Sequence, residues 1–216
     1  GICINLSNLY HTWQYGQESM RGKSELVKKN SANQTSSGLD RDYITQWSYG
    51  IDETWTLLIP NAKGGASFPL VQSEKAMSKA NPEFMQLYQQ LGQYWGDQPG
   101  TSGPVYVGAF VLMLFFLGLF LLKGPMKWAL YAATVLSVLL SWGRNFMWFT
   151  DLFLDYVPMY AKFRTVASIL VIAEFTIPLL AMMALKKLID NPEVLKETET
   201  MKQKVLGFIF FSPLSI

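Results

Sequence analysis

Long runs without charge occupy the second half of the chain and predict membrane-spanning helices. Residues 104–122 carry no charged side chain, and residues 166–186 carry only Glu174 before the final lysine. A helix of nineteen residues is about 28 Å long, close to the thickness of bilayer hydrocarbon. Residues 126–143 enclose a shorter uncharged run that begins and ends with tryptophan, as at a membrane interface. The pattern predicts an all-α polytopic membrane protein with three transmembrane helices; buried helices of a soluble protein are the alternative.

The remaining segments follow from the polar stretches between these runs. The first apolar residues predict the outer end of a preceding helix, and the last ones predict the start of a further span in a longer parent protein. Lysines at 123, 127, 186 and 187 indicate cytoplasmic loop ends under the positive-inside rule. The predicted segments are therefore an outer helix end (1–10), a mixed, loop-rich extracytoplasmic region (11–103), an outer interfacial helix and loop (144–165), a cytoplasmic connection (187–204) and a truncated span (205–216).

Local signals add a few shorter elements. Ser73 predicts the cap of a short helix, and Asn81 followed by Pro82 predicts the start of another. Residues 54–59 favour a short strand that ends before Pro60. In the predicted interfacial helix, Asp151 and Asp155 are four residues apart and therefore share one face.

Composition excludes several classes of function. The net charge is +2 and the basic residues do not cluster, so a nucleic-acid partner is not expected. A single cysteine excludes an internal disulfide, and a single histidine disfavours a histidine-based metal site. The sequence has no glycine-rich nucleotide loop. We therefore expect no metal site and no evident cofactor in this chain.

Two cations lie immediately before the third predicted span. Lys162 and Arg164 would sit at the membrane surface, where the phosphate of a lipid lies, and arginine binds such a group bidentately. The alternative is that both side chains only anchor the helix at the interface. They are the candidates for binding a lipid phosphate.

Acidic residues and one further arginine form a second set of candidates. Glu174 is the charged group inside a predicted span, and such groups default to a functional hypothesis; packing against another helix is the alternative. The polar candidates of the outer region have salt bridges or plain solvation as their alternative roles, and they are Glu18, Arg21, Glu53, Asp151 and Asp155.

Several outer segments resemble a known family when they are read in order. The segments are YGQESMRGKSEL, WSYGIDETWTLLIPNAKGG, YWGDQPGTSGPVYVGA and YAKFRTVASIL. Together they are similar to the YfhO family of bacterial multi-pass membrane proteins, in the version found in Bacteroidetes, over about residues 8–188. The order and spacing of the segments carry the resemblance, since no single motif is diagnostic.

The resemblance implies a GT-C-like glycosyltransferase in the bacterial inner membrane. Such an enzyme would take a sugar from a polyprenyl phosphate and add it to an envelope glycan on the outer face, with the lipid bilayer as a further partner. The family's acidic residue lies in an earlier outer loop, so the catalytic residues of this chain are unknown, and a divalent metal would belong to the complete protein. The alternatives are a transporter or flippase component that depends on Glu174, and a non-catalytic scaffold that binds through Trp47, Trp55 and Trp95.

Overall fold

The structure is a computed structural model that describes residues 5–18, 35, 39–103, 105–158 and 160–192 of the 216-residue chain. Arg21, the side chain of Glu18, much of the predicted cytoplasmic connection and the predicted truncated span lie outside the described residues. The chain divides into two units. Unit one comprises Gly1–Ile51, Gly96–Gly100 and Leu139–Ile169, and unit two comprises Asp52–Trp95, Thr101–Val138 and Leu170–Ile216.

Eight α-helices and two β-strands make up the regular structure of the described residues. The helices are α1 (Leu6–Glu18), α2 (Arg41–Ile44), α3 (Glu74–Met77), α4 (Met85–Gln90), α5 (Ala109–Leu121), α6 (Pro125–Ser141), α7 (Met147–Tyr156) and α8 (Val171–Asp190). The strands β1 (Gly64–Pro69) and β2 (Gly92–Tyr94) pair antiparallel, with Gly64 opposite Tyr94 and Pro69 opposite Gly92. Short 3-10 turns connect several of these elements, among them Gly143–Phe146, Tyr160–Lys162 and Val166–Leu170.

The prediction of three membrane-spanning helices was wrong. Among the described residues, one helix is long and apolar enough to cross a membrane, Val166–Asp190, which joins the last 3-10 turn to α8. Helix α5 has 13 residues and α6 has 17, so at 1.5 Å per residue they extend about 20 Å and 26 Å, short of the hydrocarbon thickness. The small sheet also corrects the all-α assignment.

Backbone conformation explains why α5 is shorter than its apolar run. Gly108 has φ +97°, outside the helical region, so the helix begins only at Ala109. Residues 105–107, which belong to the same apolar run, are not helical. Hydrophobicity sets burial in lipid or in a core, but it does not by itself determine φ and ψ.

The local signals gave mixed results. Ser73 caps α3 by accepting the N–H of Ala76, and Asn81 caps a 3-10 turn at Pro82–Phe84, so both predicted helix starts are confirmed. The strand predicted at 54–59 was wrong, because Asp52–Leu57 forms a 3-10 helix.

The helices α5 and α8 pack closely within unit two. Gly118 makes this approach possible, since a Cβ there would lie 3.3 Å from the Cβ of Ala184 and from the carbonyl oxygen of Leu180. Helix α6 contributes a hydrogen bond to α8 between the hydroxyls of Thr134 and Thr176, which are 2.7 Å apart. Small and hydroxyl-bearing side chains are typical of helix contacts inside membranes.

A candidate anion site beside Trp47

Unit one is built around a small apolar core. Ile44 of α2, Leu154 of α7 and Ala161 are buried together with Leu39 and Val166. Backbone hydrogen bonds run from the N–H of Leu39 to the carbonyl of Ala161 and from the N–H of Ala167 to the carbonyl of Trp47. These contacts hold the segment that contains Trp47 against residues 161–167.

Arg164 lies in a polar and aromatic setting provided by that segment. Its guanidinium donates to the hydroxyl of Tyr43 (3.0 Å) and to Oε1 of Gln46 (3.1 Å). The guanidinium carbon also lies 4.6 Å from the ring centroid of Tyr43 and 4.3 Å from that of Trp47, which are cation–π distances. The rings and hydrogen bonds therefore hold an exposed cation in a defined position.

This arrangement leaves Arg164 with capacity for an anion. An arginine has five N–H groups, and Arg164 donates two hydrogen bonds to the described residues. Its partners are a phenol, an amide and two aromatic rings, so no described carboxylate neutralises its charge. Stacking on rings restricts the side chain, and a restricted arginine loses less entropy when it binds a phosphate.

Lys162, the second predicted cation, comes two residues before Arg164 in the chain. It ends the 3-10 turn Tyr160–Lys162 and is half-buried. Its ammonium group has no hydrogen bond or ion pair with the described residues. The predicted pair of cations is thus free of carboxylate partners in the described chain.

Tyr160, in the same turn as Lys162, has a shifted pKa. Burial raises the pKa of Tyr160 to about 12, because the phenolate would lose its hydration.

Asp151 and Asp155 have a structural partner that the sequence did not suggest. The guanidinium of Arg41 donates from Nε to Asp151 at 2.9 Å and from Nη2 to Asp155 at 3.1 Å. One arginine from α2 thus bridges two carboxylates one turn apart on α7. The shared face predicted for the two acids supports this bridge. In the part of the chain that the structure describes, no group of three or more His, Cys, Asp or Glu side chains is placed to hold a metal ion.

A second polar cluster in unit one was missed by sequence reasoning. We call it the Asp97 cluster, and it consists of Asp97, Arg144 and Asn145. Asn145 donates from Nδ2 to Oδ2 of Asp97 (3.0 Å) and to the carbonyl of Tyr49 (2.9 Å), and Arg144 donates from Nη2 to the carbonyl of Asp97 (2.6 Å). The only sequence signal was an acid inside a Gly/Pro-rich turn that follows two aromatic residues.

The turn that contains Arg144 and Asn145 is fixed by its backbone. Gly143 has φ +45°, and a Cβ there would overlap the Oγ of Ser48 and a methyl group of Val166. The same Oγ accepts the N–H of Arg144 at 2.9 Å. Only glycine fits this close approach, so the backbone that carries Arg144 and Asn145 is fixed in position.

The structure also describes the surroundings of the other predicted candidates. In unit two, Glu53 is buried, and one of its carboxylate oxygens accepts the hydroxyl of Tyr94 at 2.7 Å, so it anchors β2 instead of facing solvent. Glu174 lies on an exposed face of α8, next to the exposed ring of Phe175. The three scaffold tryptophans differ: Trp47 is half-buried, while Trp55 and Trp95 are exposed.

Comparisons with protein-family models, curated proteins and solved structures found no match. The resemblance to the YfhO family therefore stays a prediction.

Proposed function

We propose that this chain is a membrane-associated protein that binds the phosphate of a lipid-linked sugar through Arg164 and Lys162. The observation that carries the proposal is the position of Arg164, stacked on Tyr43 and Trp47 and exposed, with no carboxylate partner among the described residues. Both cations come directly before the helix Val166–Asp190. A phosphate at the membrane surface is the ligand that suits such a pair.

The spanning helix and its surroundings support a location at the bilayer. Only 39% of the most apolar 18-residue stretch of this helix is buried inside the protein, whereas the core helix of a soluble protein would be mostly buried. The exposed face of α7 carries Leu152 and Tyr156, four residues apart, and Phe163 follows with its ring exposed. Large apolar and aromatic side chains on one exposed face suit a helix that lies in the membrane interface.

Charge along the chain supports an outward-facing unit one. Within about twenty residues of the spanning helix, the sequence has three basic residues on the N-terminal side (144, 162 and 164) and five on the C-terminal side (186, 187, 196, 202 and 204). The excess favours a cytoplasmic C-terminal side. The lipid phosphate would then be bound at the outer face of a bacterial inner membrane.

Glycosyl transfer from a polyprenyl phosphate is the reaction class that this site serves in our proposal. In such a transfer the sugar leaves its lipid phosphate, and negative charge on that phosphate increases as the bond breaks. A fixed arginine and a lysine would stabilise the departing phosphate. The family resemblance supplies the sugar-transfer chemistry, and the catalytic base is not assigned.

The binding step is tested with the full chain reconstituted in nanodiscs of phosphatidylcholine, with and without a polyprenyl phosphate. We expect R164A to weaken binding of the polyprenyl phosphate about tenfold, equivalent to about 1.4 kcal/mol, and R164K to weaken it less, because it keeps the charge but loses the planar fork. K162A should have a smaller effect. The matched control is K186A/K187A, which removes two exposed cations from the other end of the same helix.

Two outcomes of this experiment would contradict the proposal. One is unchanged binding in the R164A/K162A double variant, and the other is an equal loss in the K186A/K187A control. Nanodiscs that contain phosphatidylglycerol separate a specific site from attraction to any anionic lipid. In cells, deletion of the gene should remove one envelope glycan decoration and accumulate its polyprenyl-linked donor, measured by mass spectrometry.

Transport is a second candidate function, and Glu174 favours it. The carboxylate lies on an exposed face of the spanning helix and has no ion-pair partner among the described residues. Acids within a span are costly and default to a functional role. In a transporter, E174Q would abolish function while R164A would be tolerated. In a protein that binds a lipid phosphate, R164A would abolish function while E174Q would be tolerated.

A further inference from the structure

The Asp97 cluster holds two opposite charges side by side without pairing them. Arg144 donates to the backbone carbonyl of Asp97, and its guanidinium forms no ion pair with the carboxylate. Both residues are exposed. The guanidinium contacts the carbonyl oxygen, and the carboxylate accepts from Asn145 instead.

The cluster has hydrogen-bond donors and acceptors that the described residues do not use, and these determine which class of ligand fits it. Oδ1 of Asp97 and Oδ1 of Asn145 remain as acceptors, and Nε and Nη1 of Arg144 remain as donors, among the described residues. The two adjacent opposite charges largely cancel at a distance, so the cluster strongly favours neither a simple anion nor a simple cation. A hydroxyl group both donates and accepts, so a neutral molecule with several hydroxyls satisfies the whole cluster.

The cluster is also preorganised. Asp97 accepts hydrogen bonds at its carbonyl oxygen, from Arg144, and at one carboxylate oxygen, from Asn145. Gly100 of the same loop accepts the indole N–H of Trp47 at 3.2 Å. Ser48 and Gly143 fix the turn that carries Arg144. Polar groups that are already fixed in position lose little entropy on binding.

An exposed aromatic side chain follows the cluster closely in the sequence. Trp148 follows Asn145 by three residues, its ring packs against that of Phe146 at 5.9 Å, and 71% of its surface is exposed. A tryptophan face offers apolar area for the C–H face of a sugar ring, while the polar cluster takes the hydroxyls. Acceptors, donors and an exposed aromatic ring together are the chemistry that recognises a saccharide.

We propose that the Asp97 cluster binds a neutral saccharide, the acceptor glycan of the transfer reaction; the acceptor role rests on the proposed function. Trp47 connects the two sites, because its indole N–H bonds the loop of Asp97 and its ring carries Arg164. A glycan at Asp97 and a lipid phosphate at Arg164 would flank the same tryptophan. The sequence alone placed these residues 67 positions apart.

The test measures binding of neutral oligosaccharides of glucose, mannose and N-acetylglucosamine to the full chain in nanodiscs, by microscale thermophoresis. Oligogalacturonate is the anionic comparison. We expect at least one neutral oligosaccharide to bind, D97A and D97N to weaken that binding about tenfold or more, and oligogalacturonate to bind less well. The matched control is E83Q, which neutralises an exposed carboxylate in unit two.

The result that would overturn the proposal is absence of binding by every neutral oligosaccharide, or binding by D97A that equals the wild type. D97N covers the case in which D97A lowers the melting temperature, because the amide keeps one oxygen for Asn145. Binding of the polyprenyl phosphate is measured on the same preparations. If the wild-type chain binds the polyprenyl phosphate but no neutral oligosaccharide, this inference is overturned and the proposed function stands. If it binds an oligosaccharide but not the polyprenyl phosphate, the proposed function is overturned.

Discussion

The guanidinium carbon of Arg164 lies 4.3 Å from the ring centroid of Trp47, whose indole nitrogen donates 3.2 Å away to the carbonyl of Gly100. One side chain therefore supports a cation through its ring face and a loop through its edge. This double contact makes the two functions of Trp47 separable, because phenylalanine keeps the aromatic face and loses the N–H.

Replacing Trp47 should separate lipid binding from saccharide binding. We expect W47F to retain most binding of the polyprenyl phosphate, since the ring still stacks on the guanidinium, and to weaken saccharide binding several-fold, since the loop of Asp97 loses an anchor. W47L should weaken both. Both affinities are measured in nanodiscs, with W55F as the control because Trp55 is exposed. Equal behaviour of W47F and W47L would contradict the double role.

Alanine at Gly143 should destabilise unit one strongly. The φ of +45° is unfavourable for alanine, and its methyl group would overlap the Oγ of Ser48 and a methyl group of Val166. We expect a loss of about 3 kcal/mol in the free energy of unfolding. The control is G124A, at a glycine that also has positive φ (+105°) but has open space around it. Thermal unfolding compares the two, and a G143A variant no less stable than G124A would show that the close approach is not rigid.

Removing Arg41 should leave Asp151 and Asp155 as an uncompensated pair of like charges on α7. We expect R41M to lower stability by about 1 kcal/mol, because both carboxylates are partly exposed and solvent screens the interaction. The triple variant R41M/D151N/D155N should recover much of this loss. Denaturant unfolding at low and high salt measures the effect, which should shrink as salt increases. A salt-independent loss would instead indicate packing of the arginine stem.

Tyr160 should make stability fall in alkaline solution. Burial raises its pKa from 10.0 to about 12, so between these values the unfolded chain loses the phenolic proton while the folded chain keeps it. The unfolded state then binds fewer protons, and the free energy of unfolding decreases as the pH rises from about 10 to about 12. The Y160F variant should lack this component of the pH dependence. Chemical unfolding at several pH values between 8 and 12 tests it, and identical slopes for both proteins would contradict the assignment.

The sequence determined what depends on near neighbours and on composition. The apolar content of the last described helix predicted its membrane-spanning length, and Ser73 and Asn81 predicted their helix starts, because a cap involves residues only two or three positions apart. Lys162 and Arg164 were found as candidates from their position before that helix. The four-residue spacing of Asp151 and Asp155 likewise predicted a shared face.

Tertiary structure decided which distant groups meet. Arg41 bridges acids 110 and 114 residues away, Trp47 carries a cation 117 residues later, and Asp97 is held by a turn 47 residues further on. No periodicity or capping rule reaches across such separations, because they are closed by the burial of Ile44, Leu154 and Ala161 in one core. The length of α5 was also decided beyond composition, by a backbone angle at Gly108 that apolar side chains do not set.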